Sequence, residues 1–325
     1  MRRTSSHLQQ RLFRGEVLSL PCRLFSHRRM PEMRHSSSGK TPKTGVFHRR
    51  VDMKGRDINM KTKKISGLKL YFHYLSIIFR SAMQYKASFW IMTIGHFFVS
   101  FNVFLGVFFM FQRFSHVEGF TYNEVLLCFS IMLMEFSLAE IWARGFDTFP
   151  SMIRQGTFDR VLLRPRSPVL QVLGSKFELV RLGRILQAIV MFGYAMTHVE
   201  VRWTAAKLVT VVFMLIGGVG LFSALFMIYA ALSFFTLDGL EFMNLFTDGA
   251  REYGKYPFGV YGKKMLLLTT FFVPYALVQY YPLLYLLDRR SSPFYIFLPL
   301  LALWILLPAY GLWRFGVRKY KSSGS

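Results

Sequence analysis

The stretch "FDRVLLRPRSPVLQVLGSKFELVRLGRILQ", residues 158–187, is a basic segment that lies between long apolar runs of the chain. It holds six Lys or Arg and two acids. Such cations bind carboxylates of another protein or the anionic headgroups of lipids. The stretch therefore predicts either a docking segment or an anchor at the membrane surface, and its basic count alone fits both.

The motif "TFDRVLLRPRSP" favours docking. A residue that precedes Pro avoids the helical region, so the motif predicts a short helix that ends at "RPRSP". This helix would present two leucines beside two arginines, a shape suited to a groove on another protein. The predicted docking segment comprises Gly156, Phe158, Arg160, Leu162, Leu163, Arg164 and Pro165.

Catalytic and metal-binding motifs are scarce. "HSSSGKT", residues 35–41, imitates the end of a phosphate-binding loop, but Arg34 stands where that loop needs Gly. The two cysteines, Cys22 and Cys128, are too few for a disulfide framework or a thiolate metal site, and we expect free thiols. The sequence predicts no enzyme, no metal site and no cofactor on this chain.

Glu135 is the acid that stands out within an apolar run. A charge in lipid is costly unless it is paired or hydrated, so such an acid marks a polar path or pairs with another helix, here one that bears Gln187 or Asn102. Glu140 has a partner one turn on, Arg144, which predicts a helix-end ion pair. Both alternatives for Glu135 stay open.

Two prolines in "VPYALVQYYP" break a later apolar run. Because each removes a backbone hydrogen bond, the outer half of this run is predicted to turn back as a short re-entrant element, with its tyrosines at the outer interface. The residues predicted to border a translocation path are Glu135, Pro274, Tyr280 and Pro282.

The elements that must position these residues are apolar helices. The 325 residues are 53% hydrophobic, with mean hydropathy +0.32 and net charge +24, which indicates a polytopic membrane protein rather than a nucleic-acid binder. Runs of about 20 apolar residues cross a membrane as helices. Six are predicted, which makes the fold class all-α: Phe89–Phe111, Tyr122–Trp142, Ile185–Val199, a run within Leu208–Leu237, Met265–Leu287 and Phe294–Trp313.

Basic residues set the orientation. Residues 61–86, 143–184, 238–264 and 314–325 together hold 22 Lys or Arg, whereas the alternate loops hold five. The positive-inside rule therefore places both termini in the cytosol.

The first 59 residues differ from the rest. With Met60 they hold 14 basic and four acidic residues, and we expect disorder. A targeting peptide and an extension ahead of a start at Met60 are both open, the second being favoured, and residues 60–325 form the membrane domain. Polar residues at spacings of three and four between Lys69 and Gln84 predict an amphipathic interfacial helix; the alternative is an extension of the first span.

Three features carry a family resemblance: "GTFDRVLLRPRSPVLQVL", "YPFGVYGKKMLLLTTFFVPYALVQYYPLLYLL" and the short basic start at Met60. Over roughly residues 60–320 the chain resembles the membrane permease of a bacterial type-2 ABC exporter, in a subgroup with six spans. The resemblance does not indicate the substrate.

The resemblance implies a division of labour. Two permease chains, identical or related, would sit in the bacterial inner membrane on a separate cytosolic ATPase that holds ATP and Mg. The docking segment would be the coupling helix, and the amphipathic helix the family's connecting helix. The alternatives are an ion-coupled secondary transporter, for which no convincing repeat is present, and a membrane scaffold without transport activity.

Overall fold

The computed structural model describes residues 67–114, 116–236 and 240–322. This part of the chain is helical and contains no strand. The predicted extension, residues 1–59, and Cys22 lie outside the described residues. Five helices are long and apolar enough to cross a membrane, or six if one bent pair counts as a span. The all-α polytopic fold is therefore confirmed.

The first helical run is longer than a membrane is thick. Helix α1, Gly67–Ala82, continues through a 3₁₀ turn, Met83–Tyr85, into α2, Lys86–Arg113. From Tyr71 the run has 43 residues, about 64 Å of helix against a hydrocarbon layer of about 30 Å. When α2 spans the membrane, α1 therefore lies outside the hydrocarbon.

Helix α3, Tyr122–Asp147, is the centre of the bundle. Thr121 caps its first turn in a reciprocal pair of hydrogen bonds with Glu124. Nearly all of α3 is buried, because it packs against α7, Leu182–His198, and α8, Ala205–Leu232. These helices confirm the second, third and fourth predicted spans.

Three short helices follow α3 at its C-terminal end. They are α4, Phe149–Arg154, α5, Phe158–Leu162, and α6, Pro168–Leu173. Helix α6 packs closely on α3, because a Cβ atom at Gly145 would lie 1.9 Å from the carbonyl oxygen of Val172. The α4–α6 segment is thus held against the long helices.

The sequence analysis placed all of residues 238–264 in a loop on the cytosolic side of the spans. The structure differs from this assignment. Helix α9, Asp248–Tyr253, instead folds back along α3. A Cβ atom at Gly254 would lie 2.2 Å from Cε of Met132, and the carbonyl oxygen of Gly254 accepts a hydrogen bond from Gln279 Nε2 at 2.5 Å. The periodicity of a sequence does not reveal such a return, which depends on packing between elements.

The predicted fifth span is broken. Helix α10, Gly262–Phe271, is followed by α11, Tyr275–Val278, and α12, Tyr280–Leu286. The chain bends by 92° between Phe271 and Tyr275, at Pro274. The interruption that the prolines predict is confirmed.

The last span is assembled from helix α13, Leu298–Leu301, the 3₁₀ turn Ala302–Ile305 and helix α14, Leu306–Lys319. Together they form a run long and apolar enough to cross a membrane. Helix α14 packs on α8 and brings Trp313 beside the α4–α6 segment. The C-terminal end of the chain thus supports the predicted docking segment.

Candidate functional site

The predicted docking segment is anchored by Phe158. This side chain is fully buried, and its ring lies 4.9 Å from that of Phe149, 5.5 Å from that of Phe234 and 5.2 Å from that of Tyr320, measured between centroids. Helix α5 therefore rests on an aromatic cluster built from three other parts of the chain. Among the seven predicted residues, Phe158 supports the segment rather than contacting a partner.

The residues after this anchor point outward. Leu163 is 85% exposed and Leu162 is 40% exposed, whereas Val161 between the anchor and the leucines is buried. Arg160, Arg164 and Pro165 are also exposed. The short helix predicted from the sequence is present, and it presents leucines beside arginines as expected.

Hydrogen bonds fix the shape of this segment. Gly156 has φ +64°, a conformation that glycine adopts readily, and it makes the turn between α4 and α5. Gln171 Nε2 donates to the carbonyl oxygens of Val161 and Arg166, each at 3.1 Å, and so joins α5 to α6. Asp159 accepts a hydrogen bond from the Tyr320 hydroxyl at 3.0 Å. The segment is therefore held on two sides.

A buried ion network lies behind the docking segment. Glu140, 2% exposed, forms a 2.5 Å ion pair with Arg184 and a 3.3 Å pair with Arg181. The predicted pair with Arg144 is present at 3.6 Å. Arg181 also contacts Glu178 at 2.9 Å. The second half of the basic stretch thus pairs with acids inside the protein and is not free to bind a partner.

The electrostatics at Glu178 reflect this network. Burial raises the pKa of this carboxyl, but the neighbouring Arg144, Arg181 and Lys176 together outweigh burial and hold the pKa below its usual value. The carboxylate therefore stays charged at neutral pH. It ties the start of α7 to the end of α3.

The described residues contain no group of three His, Cys, Asp or Glu placed to hold a metal ion. Cys128 is a buried free thiol.

The geometry is that of a helical bundle with an anchored, outward-facing basic turn. The sequence model of the ABC-2 family transporter proteins matches residues 97–324, more than half of the chain and all of the docking segment.

The chain belongs to the ABC-2 transporter family. No curated protein and no solved structure matches it. As an ABC-2 transporter with five or six apolar helices, it is a membrane-embedded permease.

The residues predicted to border the transport path lie in two places in this ABC-2 permease. Glu135 faces α8, where a Cβ atom at Gly218 would lie 2.3 Å from its Cδ atom. Within the described part of the chain its Oε1 atom has no hydrogen-bond partner, and neither do the amide atoms of Gln187. The proposed pairing of Glu135 with Gln187 is therefore absent, and Asn102 is exposed on α2.

The other three path residues lie on or beside the bent pair. Pro274 precedes α11, and Pro282 lies buried in α12. The side chain of Tyr280 packs against Gly259, where an added Cβ atom would lie 2.4 Å from two ring atoms and 2.5 Å from the hydroxyl oxygen. Glu135 contacts α8, and α8 also packs against α11 and α12.

Sequence reasoning missed a charged triad on and after α9. Arg251 and Lys255 both pair with Glu252, and Arg251 Cζ lies 5.2 Å from the centroid of the Phe136 ring of α3. In the sequence these charges look like those of an ordinary polar loop. Only the fold places them beside the apolar surface of α3.

Proposed function

We propose that this chain is the transmembrane subunit of an ATP-driven exporter. Two permease chains form the translocation path, and a separate cytosolic ABC ATPase, which binds ATP and Mg, supplies the energy through α5. Family membership implies an ABC ATPase partner in general terms. The dimer, the coupling through α5 and the direction of transport are the parts that we propose.

One observation carries the coupling proposal. Helix α5 is anchored in the protein through Phe158 yet exposes Leu162 and Leu163. Leu163, which directly follows this short, fixed helix, is 85% exposed, and covering its apolar side chain with a groove on another protein is energetically favourable. A basic segment that served only to bind headgroups would not need this rigid support.

The ion network provides a route by which movement at α5 reaches the spans. Gln171 joins α5 to α6, α6 packs on α3, and Glu140 of α3 pairs with Arg184 of α7. Because these contacts are close, a displacement of the docking segment moves the inner ends of α3 and α7 together. Closure of the ATPase would in this way tilt the second and third spans.

The proposed path includes Glu135, Pro274, Tyr280 and Pro282. Three of them accompany the 92° bend, and Glu135 lies against the glycine-rich middle of α8. Bends and small residues permit helices to shift against each other. The proposed setting is the bacterial inner membrane, with both termini in the cytosol and lipid around the spans, as the excess of basic residues in alternate loops favours.

Co-purification tests the proposed coupling. The tagged chain is extracted from its native membranes, and an ATP-derived photoaffinity label identifies any nucleotide-binding chain that accompanies it. We expect such a chain with the unaltered protein and its loss in the double variant Leu162→Asp, Leu163→Asp, because two acids cannot enter an apolar groove that accepts leucines.

The matched control is Leu245→Asp, which alters an exposed leucine outside α5. It should retain the nucleotide-binding chain. Membrane insertion of all variants is compared by extraction at high pH. If the double variant keeps the ATPase at the unaltered level, α5 is not the docking helix.

A further inference from the structure

An aromatic cavity lies between α2, α3 and α7. Helices α2 and α7 touch near the start of α7, where a Cβ atom at Gly183 would lie 1.9 Å from the carbonyl oxygen of Thr93. Further along α7, away from the docking segment, the helices leave a space of about 420 Å³. Small-molecule sites usually have volumes of about 300–1,000 Å³, so this space is large enough for a ligand.

Aromatic rings form much of the cavity wall. Four phenylalanines of α2 recur at spacings of three and four residues and so share one face of the helix: Phe97, Phe101, Phe104 and Phe108. The ring centroids of Phe101 and Phe104 lie 5.4 Å apart, and the ring of Phe108 lies 5.8 Å from that of Tyr122 on α3. Aromatic rings pack favourably on other rings, so this wall favours a ligand that itself contains rings.

Gln187 of α7 brings a buried amide to this wall. Its side chain is 2% exposed, and within the described part of the chain neither Nε2 nor Oε1 has a hydrogen-bond partner. Buried polar groups in proteins are nearly always hydrogen-bonded, so an unpartnered amide beside a cavity indicates that a ligand supplies the partner. Because an amide both donates and accepts, a hydroxyl or an amide group of the ligand would satisfy it.

The mouth of the cavity faces lipid. Phe101 and Val190 of the wall are exposed, and so are their apolar neighbours Leu186 and Ile189 on the spanning helix α7. An occupant therefore enters from the membrane rather than from water. The described residues that line the cavity include no charged side chain, so a charged occupant would lose its hydration without gaining a partner.

We propose that this cavity binds a neutral, apolar molecule dissolved in the membrane, which contains rings and carries a hydroxyl or amide group. The rings pack against Phe101, Phe104 and Phe108, and the polar group exchanges hydrogen bonds with Gln187. The proposal goes beyond the proposed function, because neither the ATPase nor the four residues of the proposed path take part in this binding.

Binding is measured with two aryl diazirine probes, one with a hydroxymethyl group and one with a methyl group in its place. Each is photolysed with the full chain in membranes, and labelled peptides are identified by mass spectrometry. We expect labelling of the cavity-lining peptides of α2 and α7 to saturate as the concentration of the hydroxymethyl probe rises. Labelling of α8, which exposes Leu208 and Val212, should rise linearly because this surface meets bulk lipid.

The variant Gln187→Met tests the hydrogen bond, because it removes the amide but keeps the length of the side chain. The net contribution of one hydrogen bond corresponds to about threefold to tenfold in affinity, so the hydroxymethyl probe should bind that much more weakly. The affinity of the methyl probe should stay the same. Asn102→Leu is the matched control, which removes an exposed amide of α2 outside the cavity wall and should leave both affinities unchanged.

The variant Val190→Trp tests the cavity itself. The larger side chain fills the space, so saturable labelling by both probes should be lost. Ile189→Trp is the matched control, because Ile189 is 52% exposed against 59% for Val190 but does not line the cavity. It should keep saturable labelling.

Labelling of α2 and α7 that does not saturate would overturn the proposal. A hydroxymethyl probe that binds Gln187→Met with full affinity, or a loss of affinity that is equal for the two probes, would overturn the role of the amide. Efficient disulfide cross-linking between two copies of a Val190→Cys chain would also contradict the proposal, since a second chain would then cover the cavity.

Discussion

At the scale of single residues, Glu140 and Arg184 form the most strongly buried ion pair of the docking region. Their atoms approach to 2.5 Å with both side chains shielded from solvent. Removing Arg184 leaves Glu140 with only its longer contacts to Arg144 and Arg181, so Arg184→Met should destabilise the fold by about 1–3 kcal/mol. The double variant Glu140→Met, Arg184→Met should recover most of this loss. Thermal unfolding in detergent measures both, and additive effects of the two single changes would contradict the pairing.

The close contact between Glu135 and Gly218 can be tested by substitution of the glycine. A Cβ atom at Gly218 would lie 2.3 Å from Glu135 Cδ, so Gly218→Ala should lower stability by about 1–3 kcal/mol through overpacking. Gly193→Ala is the matched control, because a Cβ atom there meets nothing within 4 Å. It should stabilise its helix by about 0.5–1 kcal/mol. A Gly218→Ala protein as stable as the control would place Glu135 elsewhere.

The pH dependence of stability follows from Glu178. Its folded-state pKa is below the unfolded value, so its contribution is present above the unfolded pKa and is lost as pH falls through the folded pKa. Melting temperature should therefore fall in acid, and Glu178→Gln should weaken that dependence while lowering stability at neutral pH. If the melting temperature of Glu178→Gln falls in acid as steeply as that of the unaltered protein, the arginines do not act on this carboxyl.

At the scale of elements, the connection between α5 and α6 depends on one side chain. Gln171→Leu removes the donor that Val161 and Arg166 share and leaves the exposed leucines of α5 in place. We expect membrane insertion to be unchanged and the affinity for the ATPase to fall about threefold to tenfold, because the docking helix loses its fixed position. Titration with the purified ATPase measures this. Full affinity in the variant would mean that Phe158 alone positions α5.

The elements divide into those that periodicity predicts and those that it does not. The long helices follow from the apolar runs, because backbone groups in a membrane must form hydrogen bonds within the protein. The break follows from Pro274. The docking helix follows from "TFDRVLL" and the prolines after it. The return of α9 along α3 does not follow, since it depends on a contact between Gly254 and Met132, 122 positions apart in the chain. For the same reason the partners of Arg181 and Arg184 could not be assigned from the sequence.

At the scale of the whole molecule, charge is divided between two tasks. Arg181 and Arg184 neutralise acids within the bundle, whereas Arg160 and Arg164 remain exposed around the leucines of α5. Because the basic turn is anchored in the apolar bundle, a soluble partner that displaces the turn could move the helices of the bundle without unfolding them. Under the proposed coupling, this arrangement would account for so basic a stretch between two spans.

The most direct test of the coupling proposal is a photo-crosslink from the position of Leu163, with a photoreactive amino acid inserted there in the intact membrane complex. Leu163, which directly follows α5, is more exposed than Leu162. The account predicts an adduct with a nucleotide-binding ATPase chain, and predicts none from the same amino acid at Leu245. An adduct with lipid alone, or an ATPase adduct from Leu245 and none from Leu163, would contradict it.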